Sequence, residues 1–543
     1  MKKMIALILA LAMLCCVGCN KQGDGQPTTQ SGGQPTTQSG GQQAGDKDKP
    51  QVDTNAVTMK VNDHQLTVAE MSYFFMDSIN QWYGNYGSYA AYFGLDFTKP
   101  LGEQVYDQES GETWADCFLD MAVESAKSTY ALYDAAMKAE YKLSEEESKE
   151  LQALYDSMDD YAQKAGFDNA EDYLKEIYGE CADVESYKAF FNVTAVAGAY
   201  YSHYADNLLD GYTDDDLLAF EGDKGYNYDS FTYASVYLDL DAFLVGGTKD
   251  DSGKVTYSDE ELAAAKERAI NAAKQLSATD INTVEKLNTA LAQVEQAMAE
   301  QKGESFDPQK ANVATMNQDM MYAKVSSLMQ GWLRDEIRVA GDITSLPYEN
   351  VTNDANGAEV KTLEGYYVVL FLSRNDNRFP LVNVRHILAA FEGGTVNNVT
   401  GQKVFTDAEK AAAKKVADEL LEQWLAGEAT EESFADLANK HSDDGDGTTG
   451  GLYEDVYPGQ MVTNFNDWCF DESRKTGDYG IVESPYGYHV MFYSGDSELT
   501  YRNQMVSNDK LNADLESWQK ALNEAAKVEK IALELVDTNR IIA

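Results

Sequence analysis

Two stretches of the chain align without a gap: WLRDEIRVAGD at Trp332–Asp342 and WCFDESRKTGD at Trp468–Asp478 share Trp, Asp, Glu, Arg, Gly and Asp. Each is followed by a Pro-Tyr pair, Pro347-Tyr348 and Pro485-Tyr486, and then by a β-like run that opens Gly-Tyr. A run that recurs with the same elements after it marks one folding unit present twice. The middle of the chain is therefore constrained to two similarly built modules, 229–376 and 380–496.

Hydrophobic periodicity fills in both. Ser230–Leu240 (SFTYASVYLDL) reads as a strand, Ser258 caps a helix whose first turn is Asp259-Glu260-Glu261, helical segments run to about Ala340, and Gly365–Ser373 is a closing strand. In the second module Leu381–Ala390 is a strand, and Thr406 caps a helix that runs to Leu425. Glu432–Lys440 is a short helix, a Gly- and Asp-rich loop spans Ser442–Gly451, Asn464–Phe470 is helical, and Gly487–Tyr493 is the last strand. Strands enclosing helices in this way give an α+β class. With the strands aligned, His386 of the second module falls on Val236 of the first, and His489 on Tyr367. The first module lacks the Gly-Gly-Leu and Gly-Gln-Met of the second, so it reads as a degenerate copy.

The flanks differ. Residues 55–228 read as mainly helical: Thr67 and Glu70 form a capping box before a helix at Met71–Trp82, followed by Trp114–Glu140, Ser144–Ala165, Ala170–Tyr178 and Val184–Leu209. Residues 497–543 contain a further amphipathic helix, Leu511–Thr538. The chain starts MKKMIALILALAMLCCVGCN, with Lys2 and Lys3 before an apolar run, Met4–Val17, that is shorter than the about 20 residues a membrane span needs. Val17-Gly18-Cys19 resembles a bacterial lipoprotein signal. That resemblance implies cleavage after residues 1–19 are recognised, just before Cys19, and lipidation of the Cys19 thiol, which would hold the protein on the outer side of the cell membrane. Residues 20–54 repeat GQPTTQSG and contain too few apolar side chains to pack, so they read as a tether with a reach of roughly 30 Å.

A formal net charge of -48 excludes a nucleic-acid partner, whose phosphates require Lys and Arg. It also disfavours a chain lying on anionic lipid. Cys117, Cys181 and Cys469 are too scattered for a disulfide framework, and no Cys/His spacing suits a metal, so neither metal nor cofactor is expected. With 5 histidines each can be weighed singly. His64 reads as a surface turn residue, His203 as a core or boundary residue on a helix, and His441 as solvent-facing.

The second module carries several motifs in order: VRHIL at Val384–Leu388, SFADLANKHSDD from Ser433, GGL at Gly450–Leu452, GQM at Gly459–Met461, and GDYGIVESPYGYHV from Gly477. Together they resemble the parvulin rotamases. The resemblance implies a peptidyl-prolyl cis-trans isomerase in which His386 and His489 sit on adjacent central strands and hydrogen-bond at the floor of the site. It puts Asp444 beside the isomerising bond, Ser484 behind the histidines, and Leu452, Met461 and Phe465 around the prolyl ring; Val462 replaces a Gln common in the family. The whole arrangement resembles the foldase lipoproteins of Gram-positive bacteria and periplasmic chaperone-isomerases. That implies a chaperone-like N-terminal domain completed by the C-terminal helix of 497–543, and unfolded exported proteins with X-Pro bonds as clients. The alternative is a non-catalytic holdase that uses the parvulin fold only to grip peptides.

Overall fold

The computed structural model describes residues 53, 55–249, 255–353, 358–396, 402–445 and 447–541. The signal segment, Cys19 and the tether lie outside the described residues. Among those described, no helix is long and apolar enough to cross a membrane. The chain divides into two compact units, one formed by residues up to Tyr212 together with Asp509 onward, the other by Thr213–Asn508.

The first unit is mostly helical. Thr67, Thr113, Ser144 and Asp183 each close a capping box, satisfying first-turn N–H groups of Val68–Tyr86, Trp114–Lys138, Glu145–Asp156 and Val184–Gly211. The apolar faces of Val68–Tyr86, Trp114–Lys138 and Val184–Gly211 meet around Tyr73, Phe75 and Phe118, all fully buried. The helix expected over Ser144–Ala165 is broken at Ser157, whose Oγ donates back to the Leu154 carbonyl; a new helix, Met158–Lys164, begins there. The expected helix Leu511–Thr538 also differs. The observed helix is Tyr501–Ala525, and Val528–Lys530 is instead a strand paired antiparallel with Val57–Val61. The partner strand accounts for it: Ile531 N–H donates to the Thr58 carbonyl at 2.9 Å and Asn62 N–H to the Lys527 carbonyl at 2.8 Å. His64 is half-buried rather than a surface residue, its Nε2 2.7 Å from Asp134 Oδ1 and its ring 4.8 Å from Tyr130. His203 is exposed, held by Asn207 and lying over Tyr141, because its side of the helix faces away from the core.

The second unit holds two four-stranded antiparallel sheets with the same order. The first runs Thr315–Met321, Ser230–Asp239, Glu359–Asn375, Ile343–Asn353; the second runs Leu452–Val456, Pro380–Ala390, Gly487–Thr500, Tyr479–Glu483. Thr315–Met321 was expected to be helical. It follows a helix stop at Gly303 (φ +70°) and Pro308, and pairs as an edge strand with Ser230–Asp239.

The shared sequence run has a shared structure. Arg338 lies over the Trp332 ring and pairs with Asp335 and Asp342; Arg474 lies over Trp468 and pairs with Asp471 and Asp478. Gly341 and Gly477 turn at φ +94° and +90°, and their N–H groups donate to Phe371 and Tyr493 on the central strands. Each copy therefore clasps a helix end to its sheet. Register corrects one correspondence. Tyr367 pairs with Tyr237 as His489 pairs with Leu388, so the first-module counterpart of His386 is Ser235, not Val236. Val236 packs among the helices, on the opposite face, because a slip of one residue reverses the side of a strand.

Candidate functional site

Alternation along two neighbouring strands builds the site. Ile387, Ala389, Val490 and Phe492 face the helices Asp407–Ala426 and Glu431–His441, where they meet Trp424 and Phe434. The intervening residues point the other way. There Val382, Val384, Met491 and Tyr493 form a second core with Phe465 and Cys469 of the short helix Thr463–Cys469. His386 and His489 lie on this second face, as diagonal neighbours across the Pro380–Ala390 and Gly487–Thr500 pair, 3% and 6% exposed.

Their ring nitrogens are all engaged. His386 Nδ1 and His489 Nδ1 are 3.0 Å apart, His489 Nε2 is 2.8 Å from Ser484 Oγ, and His386 Nε2 is 3.1 Å from Asp444 Oδ2. Donor direction follows from chemistry. A carboxylate only accepts, so His386 Nε2–H donates to Asp444. With His386 neutral its Nδ1 is a lone pair, which His489 Nδ1–H fills. His489 Nε2 then accepts from Ser484 O–H. Ser484 Oγ in turn accepts from Tyr486 N–H at 3.1 Å. The result is one directed chain, Ser484 to His489 to His386 to Asp444.

The electrostatics fit a neutral His489 and an ionised Asp444. Burial is the main cause that lowers the His489 imidazole to about 4, so it is neutral at ordinary pH. The hydrogen bond from His386, against the cost of burial, holds the Asp444 carboxyl well below the usual carboxylate range, with Tyr453 O–H adding a second donor at 2.9 Å. Asp444 is also the open end of the chain, its side chain 40% exposed.

Glycines let the loop reach this position. A Cβ on Gly451 would stand 2.1 Å from the His386 carbonyl oxygen, and its φ is +66°. That close approach lets Gly451 accept from His386 N–H at 2.9 Å. Ser442 Oγ accepts from both Leu388 N–H and Asp444 N–H, fixing the other side of the loop.

Phe465 is 3% exposed and meets both imidazoles edge-on, 5.4 Å from His386 and 5.3 Å from His489. Met461 packs half-buried on the same core. His386, His489, Asp444, Ser484, Phe465 and Met461 are thus brought together. Leu452 is not. It pairs with Arg385, on the side away from the histidines, while Tyr453 pairs with Val384 and lies 5.1 Å from the His386 ring. Tyr453 went unnoticed in the sequence; its place directly after Gly450-Gly451-Leu452 was the available signal.

The family model described as "PPIC-type PPIASE domain" matches residues 366–493. The second module is a parvulin-type domain. The foldase protein PrsA 1 of Listeria innocua is 35% identical over 95 residues, which make up 17% of this chain and 29% of that protein. The chain therefore spans less than a third of that curated relative's length. Among solved structures, the peptidylprolyl isomerase PrsA of Bacillus cereus is 23% identical with a TM-score of 0.17, covering 30% of this chain and 57% of that one. PrsA from Bacillus subtilis is 25% identical with a TM-score of 0.18, covering 29% and 54%. The parvulin-type match begins at residue 366, inside the closing strand of the first module, and ends at Tyr493 on the last strand of the second.

Proposed function

We propose that this chain is a peptidyl-prolyl cis-trans isomerase that assists the folding of exported proteins outside the cytoplasmic membrane, held there by lipid on Cys19. One observation carries the reading: the apolar side chains of Phe465 and Met461 share a core beside the histidine pair, whose fully satisfied polar chain ends in the half-exposed Asp444 carboxylate.

That arrangement suits rotation of an X-Pro bond. The amide must lose its resonance against a barrier of roughly 18–20 kcal/mol. No bond is broken, so no nucleophile is needed. Every histidine nitrogen is occupied within the protein, so neither ring attacks the carbonyl. The pair instead orients Asp444 and keeps it ionised. Phe465 and Met461 grip the prolyl ring and strip water from the amide, favouring the twisted, less polar form. His386, His489, Asp444 and Ser484 set the field around that amide.

The test is isomerisation of an X-Pro peptide by the full chain, its His386→Ala variant and its Met461→Ala variant, with folding checked by circular dichroism. Both variants are expected to lose at least about tenfold in kcat/KM. Equal rates in all three would leave only peptide holding.

A further inference from the structure

The proposed isomerase site contains a hydroxyl contact, made by Tyr453 to Asp444, that the family motifs do not assign. Tyr453 is on the site face of its strand, packed half-buried against the core of Phe465 and Met461. Its ring lies 5.1 Å from His386 at 31° and 6.5 Å from Phe465 at 88°. Its hydroxyl donates to Asp444 Oδ2, the same oxygen that accepts from His386 Nε2. The neighbouring Leu452 points to the side of Arg385 instead. Resting on the function proposed above, we propose that the Tyr453 hydroxyl clamps Asp444 against His386, so that Tyr453 is a positioning residue.

The contributions of ring and hydroxyl can be separated. The ring supplies an apolar face for the prolyl ring, which a leucine or phenylalanine would also give. The hydroxyl supplies a hydrogen bond to a charged group, which neither would give. The titratable groups facing Asp444 are His386 and His489 from the two central strands and Tyr453 from the edge strand. Burial and the Asp444 charge push the Tyr453 hydroxyl up to about 12, so it stays a donor throughout the working range. Without it, Asp444 would keep one partner and swing on its exposed loop.

The experiment uses the full chain with Tyr453→Phe, Tyr453→Leu, Tyr453→Ala and Leu452→Ala. Isomerisation of an X-Pro tetrapeptide is followed for kcat and KM. The N–H resonance of His386 Nε2 is followed by proton NMR and assigned by its loss in His386→Gln. Tyr453→Phe and Tyr453→Leu should keep KM within about twofold and lose about fivefold to tenfold in kcat. Tyr453→Ala should raise KM about tenfold as well, and Leu452→Ala should stay within about twofold of wild type on both. The His386 N–H signal should broaden or vanish in all three Tyr453 variants and persist in Leu452→Ala. A Tyr453→Phe variant with wild-type kcat and an unchanged resonance overturns the clamp. A wild-type chain with no isomerase activity defeats the proposed function instead, and the resonance still decides whether Tyr453 holds Asp444.

Discussion

Acidification should selectively weaken the second module, and the loss can be worked from His489. Its ring is 6% exposed, and burial together with His386 brings its imidazole from the ordinary 6.5 down to about 4. In the unfolded chain the ring takes up a proton as pH falls through about 6.5. In the folded chain it stays neutral until about 4. Between those values the unfolded state binds the extra proton, so stability is full above 6.5 and falls as pH falls. At about 1.4 kcal/mol per pH unit, the interval from 6.5 to about 4 amounts to roughly 3 kcal/mol, after which the loss levels off. Asp444 stays ionised in the folded state through this window and enters only near its lower edge. Hydrogen exchange of the full chain reads the effect locally. Ile387 and Val490 are paired in the middle of the second sheet, and Val236 and Val368 are the corresponding pair in the first. After correction for intrinsic exchange, the opening free energy at Ile387 and Val490 should drop by about 3 kcal/mol more in wild type than in His489→Asn between pH 7 and pH 4. The pair Val236 and Val368 should show no such difference between the two proteins. A difference that is independent of pH, or one that grows in favour of wild type on acidification, would refute the neutral buried imidazole and with it the direction assigned to the hydrogen-bond chain.

Gly451→Ala should displace the edge strand Leu452–Val456, because the added Cβ meets the His386 carbonyl at 2.1 Å and φ is +66°; a loss of about 3 kcal/mol or more at the second-sheet amides is expected, and a loss under 1 kcal/mol counts against the close approach. Cys19→Ser should move the protein from the membrane fraction to the soluble one and abolish incorporation of a labelled fatty acid; unchanged fractionation would remove the lipid anchor.

Strand-borne parts of the site were legible because alternation along Val384–Leu388 and Gly487–Tyr493 fixes which side each residue takes. The loop-borne part was not. Gly450 and Gly451 both have positive φ, at +63° and +66°, so side alternation cannot be carried across them, and the side chain beside His386 is Tyr453 rather than Leu452. A one-residue slip also moved the His386 counterpart to Val236, because only the pairing with the neighbouring strand fixes the register of Ser230–Asp239. The strand Thr315–Met321 has mixed exposure with no period of two, so nothing local marks it. Val528–Lys530 is a strand only because Val57–Val61, far away in sequence, supplies its hydrogen bonds. These misses share a cause: each depends on a backbone angle or a distant partner that a window of side chains does not encode.

The two modules separate what folds the unit from what equips it. Both retain the Trp-Arg-Asp clasp and the positive-φ glycine that fasten the helix end to the sheet. They part at the central strands. Where the second module has His386 and His489, the first has Ser235, bonded to Asn317, and Tyr367, tilted against Tyr237 at 4.8 Å and edge-on to Tyr348. Where the second has Phe465, the first has the buried Met329 at the same offset from its tryptophan. An aromatic cluster fills the first module's face without burying an ionisable imidazole. The sheet can therefore be completed without the histidine pair, and the pair carries a stability cost under acid that the aromatic cluster avoids. A buried chain that the first module's fold does without, and that is expected to weaken the second module when protonated, is better accounted for by the Asp444 carboxylate it positions than by packing.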